Sequence, residues 1–414
     1  MPAELVLLSA GSRAELDTKT KKLAREMALR PGTPLAEFAG ELHAQQALAC
    51  RWAFVARDTT EAARKLRKPG PPAEHGQARP VVFMFPGVGD HYAGMGRDLY
   101  EHEPVFRSTV DHCVEGLEPE LGLDLRTILY PAAEPERKGI DLAKLMGRTT
   151  SVKEIDRTRI AQPLVFAFEY ALAQLLLSWN IKPSGMVGYS IGEYVAATLG
   201  GVFSLQDALK LVARRASLIE AVPPGGMLVI MLGPGDVAGY LDDDVEMAAV
   251  DSAQLCVVAG PGEALARLEK KLTTSGVANL RAGTRHAFHS SMMAPASGPL
   301  ADLLGTIELH PPRIPFLSNV TGTWITDEEA TSPAYWSRHL QQTVQFHDDL
   351  AEMWRLPDAI AVEVGAGTML SSLAAQHPGC PRDGEPPVYA TDDLTTLLTT
   401  VGRLWQTGVP VRKA

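Results

Sequence analysis

Apolar residues recur along this chain in two rhythms. Short dense runs, ELVLLSA (4–10), RWAFVA (51–56), PVVFMF (80–85) and GMVGYS (185–190), have the length and bounding residues of buried strands. Longer stretches with apolar positions three and four apart predict helices: RAELDTKTKKLAREMAL (13–29), PLAEFAGELHAQQALA (34–49) and AQPLVFAFEYALAQLLLSW (161–179). From Met1 to about Lys68 the order is strand, helix, helix, strand, helix. KPGPPAEHGQARP (68–80) then gathers four prolines and two glycines without apolar spacing, the signature of a linker. Beyond it, strands alternate with helices, which predicts a parallel sheet covered on both faces.

Between about Gly225 and Gly283 the rhythm changes. GGMLVIML, PGDVAGYLDD, VEMAAVD, QLCVVAG, GEALARLEKKLTTSG and VANLRAG read as β-α-β-β-α-β, the ferredoxin-like unit, inserted in the larger body. The body resumes with PFLSNVTG and AIAVEVGAG, and after Pro386 a last strand and helix, VYATDDLTTLLTTVGRLWQTG, are expected to pack back on the N-terminal unit. Expected boundaries are therefore 1–79, 80–386 with the insert at about 225–283, and 387–414.

Composition narrows the class. With 414 residues, 45% hydrophobic and 21% charged, the chain reads as a globular protein with a sizeable core. A net charge of −10 without a Lys/Arg block argues against a nucleic-acid binder. Cys50, Cys113, Cys256 and Cys380 stand far apart, without metal-type spacing, and are expected to be free thiols in a reducing compartment. The N-terminus lacks the pattern of a signal peptide, and the expectation is a cytoplasmic protein without a membrane segment.

Candidate chemistry begins at Gly188-Tyr189-Ser190-Ile191-Gly192, a serine between two glycines where a strand gives way to a helix. This is the spacing of a nucleophile elbow, in which the amide of Ile191 faces a developing oxyanion; the plainer reading is a glycine-rich β–α turn. A serine needs a base, and TRHAFHSSMM brings His286 and His289 to the point where the chain returns from the insert. FMFPGVGDHYAGMG also follows a strand, but Tyr92 stands where a dinucleotide fingerprint needs its third glycine. Such a loop suits backbone N–H donation to an oxyanion, or a simple turn.

FPGVGDHYAGMG, AQPLVFAFEYALA, GYSIGEYVAA, LVARRASLI, HAFHSSMM, PFLSNVTG and VEVGAG occur in the order and spacing of a known family. From about Pro80 to Pro386 the chain resembles malonyl-CoA:acyl-carrier-protein transacylases and the acyltransferase domains of modular type I polyketide synthases. Its flanks resemble the ketosynthase-to-acyltransferase linker and the segment after the acyltransferase. The resemblance implies an α/β fold: an α/β-hydrolase-like body, the ferredoxin-like insert and a small α/β N-terminal linker domain.

It further implies Ser190 as the acylated nucleophile and His289 as general base, oriented by a backbone carbonyl in place of an acid. The amides of Val88 and Ile191 would form the oxyanion hole, and Gln162 lies near the active site. Arg215, twenty-five positions after the serine, would grip the free carboxylate of a dicarboxylic acyl group; by itself it reads as a surface arginine on a helix. The HAFH motif, with His286 and Phe288, together with Ile191, resembles the malonyl-preferring type; Phe288 would fill the space of an α-methyl. Tyr189 and Asn319 are also placed in the pocket. The chain departs from the family at Tyr189, usually histidine, and at Val88, Asp90 and His91 in a loop that usually reads Gly-Gln-Gly-Ser-Gln.

The implied partners are malonyl-CoA or a related acyl-CoA as substrate, an acyl carrier protein and a ketosynthase neighbour, with no metal or bound cofactor. Three other readings stand beside this one. The first is the same mechanism with a different extender unit, methylmalonyl or another; the less favoured two are an α/β-hydrolase-type esterase with Asp251 as the triad acid and a non-catalytic docking module.

Overall fold

The computed structural model describes residues 3–30, 32–74, 78–131, 153–382, 384 and 386–412. At the N-terminus, β1 (Glu4–Ala10) and β2 (Cys50–Ala56) pair antiparallel, with Glu4 opposite Ala56 and Ala10 opposite Cys50. Side chains alternate across a strand, so β1 serves two cores. Val6, Leu8 and Ala10 pack on Leu16, Leu23, Met27 and Phe38 from the helices Arg13–Leu29 and Leu35–His43. Leu5 and Leu7 face the opposite way, into the main core.

The proline-rich stretch expected as a bare linker contributes a third strand. There β3 (Ala73–Glu74) pairs with Cys50 and Arg51 of β2, because an edge strand accepts residues of such a run where its backbone is free to bond. The remainder of that linker at 75–77 lies outside the described residues.

Six strands build the sheet of the body: β4 (Val81–Phe85), β5 (Gly185–Gly188), β10 (Phe316–Ser318), β11 (Thr323–Trp324), β12 (Ile360–Glu363) and β13 (Val388–Ala390). They lie in the order β11-β10-β5-β4-β12-β13. All neighbours are parallel except β10 and β11. Again the strands are buried on both faces: Val81, Phe83 and Phe85 enter one core, Val82 and Met84 the other. Helix Thr158–Ser178 is the one helix among the described residues long and apolar enough to cross a membrane, and it lies inside the larger core.

β6 (Gly226–Ile230), β7 (Glu246–Ser252), β8 (Leu255–Gly260) and β9 (Asn279–Arg281) form a separate antiparallel sheet in the order β7-β8-β6-β9, the ferredoxin-like arrangement. Helix Gly262–Thr274 covers one face through Leu265, Leu268 and Leu272. On the other face, Ala249 and Val257 rest on Val344 and Phe346 of the body.

The C-terminal segment divides, which corrects the boundary expected at 386. Strand β13 pairs with β12 and completes the body's sheet, so only the helix Leu394–Gln406 goes to the N-terminal unit. Asp393 caps that helix by accepting from Thr396 N. Arg51 ties it to β2, donating to Trp405 O at 2.7 Å while its guanidinium lies 5.2 Å from the Trp405 ring. The approach is close because Gly402 has no side chain. A Cβ there would stand 3.0 Å from both Ala53 Cβ and Leu5 Cδ1.

Gly402→Val should therefore lower stability by about 1–3 kcal/mol through overpacking. By contrast Gly40→Ala, in a helix with nothing within 4 Å of the new Cβ, should raise it by about 0.5–1 kcal/mol. Thermal unfolding of both variants checks the pair.

Candidate active site

β4 and β5 lie side by side with Phe85 opposite Gly188, so the loops leaving both strands emerge together at the carboxyl edge of the sheet. After β5 the chain turns at once into the helix Ile191–Gly200. Ser190 makes this turn with φ 55° and ψ −110°, a backbone conformation that costs a non-glycine residue about 1–3 kcal/mol. A Cβ on Gly188 would collide with the backbone of Gly192 and Glu193, and one on Gly192 with the carbonyl of Phe85. Two glycines at that spacing are thus a steric requirement of the corner. Gly87 is less tightly enclosed, but a Cβ on it would still lie 3.0 Å from Tyr189 O and 3.7 Å from Ser190 Cβ. The glycine-rich loop carrying Val88 consequently passes directly over the serine. Ile191 opens the helix, where no carbonyl one turn back is available to its N–H.

Of the two histidines in HAFH, His289 meets the serine. Its Nε2 lies 2.8 Å from Ser190 Oγ and its Nδ1 3.0 Å from the Gln342 carbonyl oxygen. A carbonyl only accepts, so the hydrogen-bond pattern assigns the ring proton to Nδ1 and leaves Nε2 free to accept from the serine hydroxyl. The His289 backbone has φ 57°, and its amide donates to Leu340 O at 3.1 Å. Burial, then the neighbouring His339, then Arg215 push the imidazole down to about 3, so it stands neutral at ordinary pH.

Arg215 is among the largest fully buried side chains, 1% exposed. It sits on the helix Leu205–Glu220 and donates through one terminal nitrogen to Gln162 Oε1. Its guanidinium lies 5.2 Å from the Tyr194 ring, and its Nε has no hydrogen-bond partner. No ion pair within the described residues neutralises it. A buried cation without a counter-charge, close enough to depress His289, is costly to keep, and an anion brought to it would lower that cost.

Asn319, expected in the pocket, lies beneath it instead, 1% exposed. Its Oδ1 accepts from Ser190 N at 2.7 Å, and its Nδ2 donates to Gly188 O and Asp349 Oδ2. The Asn319 amide donates to Glu193 Oε2, which also accepts from His339 Nε2 at 3.1 Å, while Tyr335 donates to Glu193 Oε1. Burial and Glu193 push the Asp349 carboxyl well above its ordinary range. The sequence reading missed this network, although a glutamate inside the otherwise apolar helix start IGEYVAA was a visible signal.

His286 is also placed differently from expectation. It bonds Thr158 Oγ1 through Nδ1 at 2.9 Å and lines a cleft of about 390 Å³ with Arg157, Glu220 and Arg285. Neither Ser190, His289 nor Arg215 lines that cleft. Phe288 is buried in the main core, its ring 5.9 Å from that of His286. Tyr189 turns toward the small sheet and donates to Asp251 Oδ1 at 2.9 Å. Asp251 therefore serves the tyrosine, and the position a triad acid would occupy on His289 is filled by the Gln342 carbonyl. Asp90 leans on Gly367, and burial together with Asp392 raises its carboxyl pKa. His91 Nδ1 accepts from Gly89 N, and its Nε2 lies 3.2 Å from Ile155 O.

The lowered His289 value has a measurable consequence. An unfolded histidine takes a proton below about 6.5, the native one not until about 3. Native stability therefore falls as pH drops through that window, because the unfolded chain binds the extra proton. In NMR the His289 ring should show no protonation from about pH 8 to about pH 5; a midpoint near neutrality would refute the assignment.

Comparison with known proteins shows the family. The acyl transferase domain family matches residues 82–377. A phenolphthiocerol/phthiocerol polyketide synthase protein of Mycobacterium tuberculosis is 37% identical over 431 aligned residues, covering 99% of this chain and 28% of that protein. This chain thus spans little more than a quarter of that relative's length. The solved acyl transferase domain of ZmaA is 32% identical with a TM-score of 0.86, covering 100% of this chain and 95% of that one. That of SpnD, in complex with 2-(pent-4-yn-1-yl)malonyl, is 35% identical with a TM-score of 0.83, covering 98% and 96%. The chain belongs to the acyl transferase domain family, and its relatives set it among the acyltransferase domains of polyketide synthases.

Proposed function

We propose that this acyltransferase moves a malonyl group from coenzyme A, through an ester on Ser190, to the phosphopantetheine thiol of an acyl carrier protein. The buried Arg215 with no counter-charge carries the reading, because it matches a substrate that brings its own carboxylate. Ser190 Oγ attacks the thioester carbonyl while His289 Nε2 takes its proton, and the Val88 and Ile191 amides receive the oxyanion. Coenzyme A leaves as the thiol, protonated by His289. The carrier thiol then attacks the seryl ester, gives its proton to His289, and Ser190 recovers its proton as the new thioester forms. Loss of one oxyanion donor typically costs ~10²–10³ in rate.

All proton movements use this chain's own groups, and acyl-CoA enters as substrate. A ketosynthase is the expected neighbour, in keeping with the polyketide synthase relative. The four buried free cysteines suit a reducing cytoplasm. Asp251 bonded to Tyr189 leaves the esterase reading without its triad acid. The unpaired arginine disfavours a docking module, which has no use for a buried cation.

Phe288, inside HAFH and directly before His289, supports malonyl over methylmalonyl by the resemblance of that motif to the malonyl-preferring type. A second reading, an α-substituted malonyl, is favoured by the substituted malonyl bound to the SpnD domain. A single methyl is worth about 1–3 kcal/mol of discrimination.

Intact-protein mass spectrometry after mixing with malonyl-, methylmalonyl- and acetyl-CoA at equal concentration tests both readings. Malonyl should load, Ser190→Ala should abolish the adduct, and Arg215→Ala should let acetyl compete. Preferential methylmalonyl loading would replace the first reading by the second, and an adduct surviving in Ser190→Ala would overturn the mechanism.

A further inference from the structure

One edge strand of the small sheet touches each of the three segments that build the dyad. At its start, Glu246 accepts from Ser291 N at 3.1 Å and from Ser291 Oγ, two residues after His289. Next, Met247 O accepts from Thr343 Oγ1 at 2.8 Å. Val344 N then donates to Ala248 O, and Val250 N to Val344 O, each at 2.9 Å, so residue 344 bridges Ala249 as a short parallel addition to the sheet. That segment delivers the Leu340 and Gln342 carbonyls that hold His289. Near the end of the strand, Asp251 accepts from the hydroxyl of Tyr189, the residue before Ser190.

The first contacts fix the base; the last fixes the nucleophile. Tyr189 is held on a second side by Phe346, whose ring lies 5.3 Å away at a steep angle, and its own carbonyl accepts from Gly192 N within the elbow. Asp251 is 5% exposed, so little water competes for the phenol. Cutting this bond leaves the elbow held to the body by Asn319, Phe85 and Phe346, but removes the side-chain hydrogen bond that ties it to β7, so its position against His289 is no longer set from that side.

We propose that the Tyr189–Asp251 hydrogen bond is a positioning contact for acyl transfer, locking the nucleophile's turn to the same strand that carries the supports of the base. Tyr189 and Asp251 touch no reacting atom; they act through Ser190. The inference rests on Ser190 and His289 acting as proposed above, so the experiment needs a readout that does not depend on the acyl donor. Phenylmethylsulfonyl fluoride supplies one, since it sulfonylates a serine oxygen activated by a histidine, with fluoride leaving, whatever the natural substrate.

The rate of Ser190 labelling by this reagent should be measured by mass spectrometry for the parent and the variants Tyr189→Phe, Asp251→Ala, Asp251→Asn and Tyr189→Phe/Asp251→Ala. A displacement near 1 Å costs on the order of 100-fold, so Tyr189→Phe and Asp251→Ala should each label about 10–100-fold more slowly. Asp251→Asn keeps an acceptor oxygen and should restore most of the rate. The double variant should be no slower than either single one, since both cut the same bond. In malonyl loading, the loss should fall on kcat with KM nearly unchanged. A merely structural contact would lower Tm and leave the labelling rate of the folded fraction untouched. Tyr189→Phe labelling at the parental rate, or losses that multiply in the double variant, would overturn the proposal. A parent that reacts with the sulfonyl fluoride but takes no malonyl would instead refute the substrate reading and leave the labelling comparison to decide this one.

Discussion

The conformation of one residue constrains the rest of this site. Ser190 has left-handed φ, and its neighbours leave no room for any side chain at Gly188 or Gly192. A strained turn persists only where its surroundings over-determine it. Here Asn319 does so from below, accepting from the serine's own amide and donating to the carbonyl of Gly188, while Glu193 in turn fixes the Asn319 backbone. Five polar side chains, Glu193, Asn319, Tyr335, His339 and Asp349, thus lie beneath Ser190. Such a group is costly to bury unless each member finds partners, and the shared bonds among them meet most of that cost.

Electrostatics divides the site in two. The imidazole is kept neutral by burial, His339 and Arg215, which is the state a base needs before it takes a proton. Arg215 is the reverse, a charge kept without a counter-charge and oriented by the uncharged Gln162. A carboxylate brought by the substrate would relieve both conditions at once: it pairs the guanidinium and removes one of the influences that depress His289. In the proposed mechanism, binding and the state of the base would be linked through that one charge.

The two sheets also share the work unevenly. The body's parallel sheet delivers the serine and the loop of Val88 from adjacent strand ends, a geometry that follows from parallel pairing alone. The small antiparallel sheet contributes no reacting group. Its edge strand β7 instead gathers the segments around His289, using backbone groups that an edge would otherwise expose.

Much of this was written locally. The alternation of β1 and β4, the β-α-β-β-α-β order of the insert, and the glycine–serine–glycine corner all follow from residues near one another in sequence. The residues by themselves left His286 and His289 both open, the resemblance of the HAFH motif favoured His289, and the fold shows that its ring is the one that reaches the serine. The pairing of β13 with the body's sheet, and the strand formed inside the proline-rich linker, likewise depend on which edges were left unpaired. Asn319 and Asp251 carry the lesson furthest, as polar residues whose types were plain but whose partners lie 129 and 62 positions away. Sequence by itself determined the elements, the corner and the kinds of side chain available for chemistry. Tertiary structure alone decided which of them meet, because hydrogen bonds and charges act over a few ångströms of space and are blind to distance along the chain.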